Sequence, residues 1–251
     1  MIKRHLNILD LARRDGEVSV ERLATSFGVT LQTIRRDLVI LAQQGRLERI
    51  HGGAVLPSGL RNIGYEHRRR LNDDAKTRIG IACANEVTNG STVFLGIGTT
   101  CEAVARALIH REGLLIMTNN LNAIPTLSAG GKNTVLVTGG RLRDADAGLI
   151  GAATVTSVRQ LKFDLAIIGC SALDEEGDVF DYDLDEVMVS QAVIETSRKT
   201  ILVADNAKFA RQAPARIAPL SEISLFCTDQ PPHQLHPAAV GTGPNLLIAA
   251  K

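Results

Sequence analysis

Three short segments and one lysine in the C-terminal two thirds of the chain have the residue types needed to hold an anion. Gly98, Thr99 and Thr100 stand where an apolar run, Ser91 to Ile97, gives way to a helical pattern. Hydroxyls and orphan backbone N–H groups at a helix N-terminus favour negative charge, through the helix dipole and through donors that lack an intrahelical acceptor. Asn119-Asn120 and Gly139-Gly140 close two further apolar runs. They add neutral donors and permit close backbone approach, and Lys208, just after the run ending at Asp205, adds positive charge. The chemistry is that of a pocket for a small phosphorylated polar molecule. GxGTT by itself is equally a tight strand-to-helix turn, and it is the convergence of four strand ends that favours a ligand.

The acidic run Asp181-Tyr182-Asp183-Leu184-Asp185-Glu186 is open to several uses. Asp183 and Glu186 could accept hydrogen bonds from ligand hydroxyls, and the run could equally cap a helix, supply a general base or hold a metal. No His or Cys set accompanies it, so neither metal nor cofactor is expected. Cys83, Cys101, Cys170 and Cys227 form no CxxC pair and read as reduced, buried thiols. Cys101 and Cys170 fall near strand ends and read as packing.

A second set of reactive positions lies near the N-terminus, in SVERLATSFGVTLQTIRRDLVILAQQGRLERIHGGA, residues 19–54. Ser19 is a good N-cap, and Val20, Leu23, Ala24 and Phe27 form a helical stripe that Gly28 ends. Val29 plugs the turn, Thr30 caps a second helix, and Ile34, Leu38 and Leu41 face inward. Gln32, Thr33, Arg35 and Arg36 are left for the flank and outer face. Gly45 ends that helix, Arg46 to Ile50 alternates as a strand, and His51-Gly52-Gly53 reads as a hairpin turn. The order is that of a winged helix-turn-helix, which places one helix in the major groove of duplex DNA. The expected DNA contacts are Ser19, Thr30, Gln32, Thr33, Arg35, Arg36, His51 and Gly52. The competing interpretation is a helical hairpin with merely solvated arginines.

These positions imply the elements that hold them. Ile2, Leu6, Ile8, Leu9, Leu11 and Ala12 predict an apolar side for a first helix, closed by Gly16. Pro57-Ser58-Gly59 opens a linker running through Arg68-Arg69-Arg70, a cluster suited either to DNA phosphate or, preferably, to a solvated or interdomain role. Beyond Asp74 the pattern alternates. Helices are expected over 75–87, 101–108, 122–129, 149–161 and 185–197, and strands over 91–97, 114–118, 134–138, 164–169 and 199–204. Short strands alternating with helices imply a mainly parallel sheet covered on both faces. The fold class is therefore α/β behind an N-terminal winged helix-turn-helix. The expected boundaries are 1–57 for the head, 58–74 for a linker, 75–232 for the body and 233–251 for a Pro- and Gly-rich tail of little signal.

Composition narrows the function classes. Of the 251 residues, the first 78 hold 15 Lys/Arg against 9 Asp/Glu, and the rest 13 against 18. A basic head on an acidic body fits a DNA-binding unit joined to a sensor or enzyme-like unit. Aromatics are 3% with no Trp, which argues against single-strand binding by base stacking. An apolar content of 45% supports a real core, and no apolar run nears the ~18 residues that span a membrane. A cytoplasmic protein is expected.

The same residues carry a resemblance. The 19–54 segment resembles the N-terminal domain of the DeoR family of bacterial transcription regulators. GIGTT, TNNLN, TGGRLR, AGLIGAAT, FDYDLDEV and ADNAKF resemble that family's sensor domain, in order and nearly end to end. The resemblance implies a repressor that leaves double-stranded operator DNA when a small phosphorylated effector binds, with a homo-oligomer on repeated half-sites. NGSTVFLGIGTTCEAVARAL, MTNNLNAIPTL and FDYDLDEV are most similar to the branch that governs glycerol catabolism, which implies sn-glycerol 3-phosphate. Many family members carry an acid where this chain has Gly96. The family's body is similar in fold to ribose-5-phosphate isomerase and coenzyme A transferases, so a sugar-phosphate isomerase or transferase with a regulatory head is the alternative. A third possibility is a protein-interaction adaptor built on the winged fold. Against the enzyme, Ile168, Gly169, Cys170 and Ser171 offer no carboxylate at the relevant strand end, and no catalytic residue is expected.

Overall fold

In the computed structural model the described residues are 3–15, 17–44, 46–50, 52–55, 64–236, 239 and 243–249. They fall into two compact units, Met1–Arg70 and Leu71–Lys251.

The first unit runs α1 (Lys3–Asp15), β1 (Glu17–Ser19), α2 (Val20–Phe27), α3 (Leu31–Gln43), β2 (Glu48–Ile50), β3 (Gly53–Val55) and α4 (Tyr65–Arg70). Local chemistry explains the central turn. Ser19 accepts from the Arg22 N–H, Gly28 closes α2 at φ +61°, and Thr30 accepts from the Thr33 N–H. Gly28 is suited because only a residue without Cβ takes that φ at no steric cost. Ile8, Leu9, Ala12, Leu23, Ile34, Leu38 and Leu41 pack the core. Each such Leu or Ile contributes about 1.5–3 kcal/mol by leaving water.

Three expectations need correction in this unit. Leu6 is 46% exposed, and the buried neighbour in its place is His5. The alternation read over 46–50 yields a strand only at Glu48–Ile50. The wing is three-stranded in the order β1-β3-β2, because Glu17–Ser19 pairs antiparallel with Gly53–Val55. Ile2, Gly16, Gly45, His51 and Pro57-Ser58-Gly59 lie outside the described residues. Within the expected linker, Tyr65–Arg70 is helical, consistent with good helix formers and Glu66 in the first turn.

The second unit begins with α5 (Asp73–Asn85), β4 (Thr92–Leu95), α6 (Thr99–Leu108), β5 (Leu115–Thr118), α7 (Ile124–Ala129) and β6 (Thr134–Val137). Next come the hairpin β7 (Arg141–Arg143) and β8 (Gly148–Ile150), then α8 (Ala152–Arg159) and β9 (Leu165–Ile168). It ends with β10 (Ala172–Leu173), β11 (Asp178–Asp181), α9 (Leu184–Thr196), β12 (Thr200–Val203), β13 (Ala215–Pro219), β14 (Leu225–Thr228) and β15 (Asn245–Ile248).

Seven strands form one sheet in the order β15-β14-β12-β9-β4-β5-β6, every pairing parallel. Successive strand residues point to opposite faces. Phe94, Ala166, Ile168, Leu202 and Phe226 therefore pack one face with Val155, Val158 and Val193 of α8 and α9. Val93, Leu95, Ile167, Ile201 and Cys227 pack the other with Ile79 and Cys83 of α5 and Val104 and Leu108 of α6.

Here too the sequence expectation is corrected. Leu149 and Ile150 are not helical but form β8, and the helix starts at Ala152. The tail supplies β15, an edge strand paired with β14. A small antiparallel sheet, β10-β11-β13, was also not foreseen. Among the described residues no helix is long and apolar enough to cross a membrane.

Candidate functional site

The first candidate surface is α3 with the wing. The caps at Ser19 and Thr30 fix how α2 and α3 meet, and burial of Ile34, Leu38 and Leu41 turns Gln32, Arg35 and Arg36 outward, where all three are exposed. Thr33 is half-buried, and its hydroxyl lies 2.9 Å from that of the N-cap Thr30, which reinforces the cap at the N-terminus of α3. Ser19 is exposed, and Gly52 stands exposed in the turn at φ +80°. Arg49 on β2 lines one groove with Arg35 and Gly52. That arginine was missed, although its place two residues before the hairpin turn was a usable signal.

Also missed was the buried carboxylate behind this surface. Asp37, on the inner side of α3, accepts two hydrogen bonds from Arg4, at 2.6 and 3.1 Å, and lies 3.0 Å from His5 Nε2. Burial pushes its carboxyl up, but the hydrogen bonds from Arg4 and His5 outweigh that and hold it below the usual range. The network ties α1 to α3.

The second candidate site is at the carboxyl edge of the parallel sheet. The chain after β4 proceeds through β5 and β6 on one side, then crosses to β9 on the other. A crevice therefore opens between the ends of β4 and β9, where ligands of open α/β sheets bind. Gly98 occupies its rim at φ +124° and ψ 154°, heading α6, with no atom within 4 Å of where a Cβ would stand. Thr99 and Thr100 are buried in the first turn. Gly96 is tight: a Cβ there would lie 3.3 Å from the Ile167 carbonyl oxygen. An acidic side chain in its place would need the backbone of β9 to give.

Of the other expected ligand residues, the structure brings some to this crevice and spends others on the fold. Asn119 is 2% exposed; its Nδ2 donates to the Leu149 carbonyl at 3.0 Å, while its Oδ1 finds no hydrogen-bond partner among the described residues. Asn120 is fully buried, donating to the Gly96 carbonyl and accepting from the Asn122 N–H. Gly139 accepts from Thr154 and donates to Ser157, both on α8, and a Cβ at Gly140 would meet Thr154 Oγ1 at 2.0 Å. Gly139-Gly140 and Lys208 follow strands four spacings apart, roughly 19 Å at ~4.8 Å per strand. The two segments thus start from opposite sides of the crevice.

The hairpin after Gly140 folds back instead and delivers Arg143. Its guanidinium pairs with Asp146 through two 2.8 Å hydrogen bonds, with Asp183 at 3.3 Å and with Glu186 at 2.5 Å. Asp183 is also the N-cap of α9, accepting from the Asp185 and Glu186 N–H groups. Burial, with the Asp181 charge nearby, pushes the Glu186 carboxyl up to about 8 against the pull of Arg143. Asp181, 4% exposed, accepts from Ser171 Oγ at 3.0 Å and from the Tyr182 N–H at 2.7 Å. A carboxylate thus does reach the end of β9, from β11 rather than from the strand itself. Arg143 could have been suspected from TGGRLR, a basic residue closely following a strand end.

Lys208, 8% exposed, sits in the 3-10 turn Asn206–Ala210 that Asp205 caps. Its charge favours the ionised forms of Asp181 and Cys101. All four cysteines are free and buried, and burial raises the thiol pKa of Cys170 to about 12 and that of Cys101 still further.

Comparison with known proteins identifies both parts of the chain. Residues 4–59 match the profile of the DeoR-like helix-turn-helix domain, and residues 71–230 that of the DeoR C terminal sensor domain. The chain is 42% identical over 230 residues to the glycerol-3-phosphate regulon repressor of Escherichia coli, covering 92% of this chain and 91% of that one. It is 44% identical over 229 residues to the repressor of the same name from Haemophilus influenzae, covering 91% and 89%. Among solved structures, the Pyrococcus horikoshii translation initiation factor eIF-2B aligns over 90% of this chain and 95% of its own, with a TM-score of 0.53 and 13% identity. That similarity concerns the fold alone.

Proposed function

Because the chain belongs to the DeoR family of transcriptional repressors, we propose that it leaves its operator when a small phosphorylated ligand, sn-glycerol 3-phosphate first among candidates, enters the crevice between β4 and β9. The observation that carries this reading is the N-terminus of α6, opening at the switch point through Gly98, with the buried Lys208 on the turn that follows β12, two strands away. Orphan N–H groups and a lysine suit a phosphate. Asn119 Oδ1, Asp181 and Glu186 suit the hydroxyls of a polyol. The names of the E. coli and H. influenzae relatives point to the same effector.

On the DNA side, Gln32, Arg35 and Arg36 would divide base-edge and phosphate contacts, with the wing against the adjacent backbone. One short helix reads only a few base pairs, so an oligomer on repeated half-sites fits. Binding without turnover is preferred, since the carboxylates of the crevice are held by Arg143 and Ser171 and the named relatives are repressors. Effector coupling of about 1–3 kcal/mol is ordinary for such switches, a 5- to 150-fold loss of operator affinity. The test is a fluorescence-anisotropy titration of the operator complex with sn-glycerol 3-phosphate, with glycerol as control. An operator complex indifferent to the phosphate ester rejects that effector, and steady turnover of pentose phosphates rejects the non-enzymatic reading.

A further inference from the structure

β6 closes one end of the seven-stranded sheet and pairs with β5 alone, in unbroken parallel register from Leu115↔Thr134 to Thr118↔Val137. The Thr134 and Thr138 N–H groups donate back to the Leu114 and Thr118 carbonyls. Alternation along the strand then turns the N–H and C=O groups of Val135 and Val137 to the open side. Such an edge is a template for another strand, and proteins usually blunt it with Lys, Pro or a bulge. The run Thr134 to Thr138 has none of these. Leu136 is 37% and Val137 45% exposed, on opposite faces of the sheet.

Charge is missing from the same border of the unit. Between Glu112 and Arg141 the only charged residue is Lys132, which pairs with Glu112 itself. Residues 147–158 hold no charge at all. These stretches include β6 and the helices beside it. α7 packs against β6 on one face, and on the other α8 holds Gly139 through Thr154 and Ser157. The chain as a whole is 22% charged, so a border this bare has the composition of an interface core.

We propose that β6 is the seam of a homodimer, pairing antiparallel with β6 of a second copy about a two-fold axis through Leu136. The open edge fixes the register. The outward groups of Val135 exchange both hydrogen bonds with those of the second copy's Val137, and Leu136 faces its own copy across the axis, Cα to Cα at about 4.5 Å. Thr134 then lies opposite the second copy's Thr138. A stable dimer buries about 800 Å² on each partner, more than five residues supply. The two-fold axis adds the rest by bringing α7 against its own copy on one face and α8 against its own copy on the other. The seam rests on the oligomer reading above for its role, setting two heads on repeated half-sites, and owes nothing to the effector.

The test is the mass of the full chain by light scattering, parent against Val137→Lys, with melting followed by circular dichroism. Val137 is exposed, so the variant should melt like the parent. An unpaired ammonium buried on each side of the seam should raise dimer dissociation at least about tenfold and halve the mass. A parent that runs as a monomer overturns the proposal, and so does a folded Val137→Lys chain that keeps the parent's mass. Should Val137→Lys fail to fold, cross-linking decides. The four native cysteines are buried, so a short bismaleimide reads single introduced thiols. Leu136→Cys faces itself across the axis and should join two chains. Thr134→Cys, roughly 14 Å from its own copy at ~3.4 Å per residue, should not. Equal yields from the two, or none from Leu136→Cys, overturn the seam. Operator binding separates the two readings. A Val137→Lys chain of halved mass that holds the operator as tightly as the parent refutes the half-site reading and upholds the seam.

Discussion

Replacing Asp37 by Asn changes one oxygen to an NH2 group at the centre of the α1–α3 network. The parent carboxylate takes two hydrogen bonds from Arg4 and lies 3.0 Å from His5, and it is 4% exposed. Asn keeps one acceptor but turns a donor toward the Arg4 fork. Breaking a fully buried ion pair costs about 3–5 kcal/mol. The Arg4 side chain is 29% exposed and recovers water, so the expected loss is nearer ~2 kcal/mol. For a unit of this size each kcal/mol moves the melting midpoint by roughly 4–8 °C, giving a drop of about 8–16 °C in the unfolding of the first unit.

The pH dependence follows from the same group. Its folded pKa is depressed, so its contribution is complete above the unfolded value near 3.9 and disappears as pH falls through the folded value. Asn imitates the protonated acid, so the gap between parent and variant should be constant from pH 8 to 5 and narrow progressively below about pH 4. Far-UV circular dichroism melts of the full chain across that range provide the readout. A D37N melt within about 2 °C of the parent at pH 7, or a gap that persists unchanged below pH 4, would refute the assignment of this network as a stabilising tie.

Other outcomes follow from single residues. Arg35→Ala and Arg36→Ala should each weaken operator binding about tenfold or more, leaving effector binding intact. If the residue contacts phosphate, the slope of log affinity against log salt should fall by about one. Gly98→Ala places a Cβ on a backbone at φ +124°, at a cost of about 1–3 kcal/mol, and should lower both the melting point of the second unit and its affinity for phosphate esters. Unaltered affinity would remove the α6 N-terminus from the site. Glu186 carries a raised folded pKa, so its stabilising contribution is full below the unfolded value near 4.3 and is lost as pH rises through about 8. Glu186→Gln should remove that decline, and parallel urea midpoints for parent and variant from pH 5 to 9 would contradict it.

What could be read from the residues alone depended on how local the physics was. The α2–α3 turn is set by caps within three residues of one another, Ser19 to Arg22 and Thr30 to Thr33, so composition and order sufficed. β1 is three residues long and exists through pairing with β3, more than thirty positions away, which no local pattern announces. Leu6 reads as inward because it is apolar, yet the buried position belongs to His5, whose ring meets a carboxylate from another helix. Leu149-Ile150 is an apolar pair equally at home in a helix or a strand, and its pairing with Arg141 and Leu142 decided the matter. The strand-end segments were legible as chemistry, but sheet order decides which can share a ligand. That order sets Gly139-Gly140 and Lys208 on strands four spacings apart, and the hairpin after Gly140 brings Arg143 to Glu186.

Among the described residues, the wing and α2 meet around Ser19 and Val20. The Val20 N–H donates to the Gly52 carbonyl at 2.8 Å, while Ser19, one residue earlier, both ends β1 and caps α2. The hairpin tip is therefore anchored to the helix that positions α3, and the first unit behaves as a caliper with fixed jaws. Docked on a duplex in the proposed way, it would span a fixed interval, so an operator with one base pair inserted between the two contact points should be rejected even when every contacted base is retained.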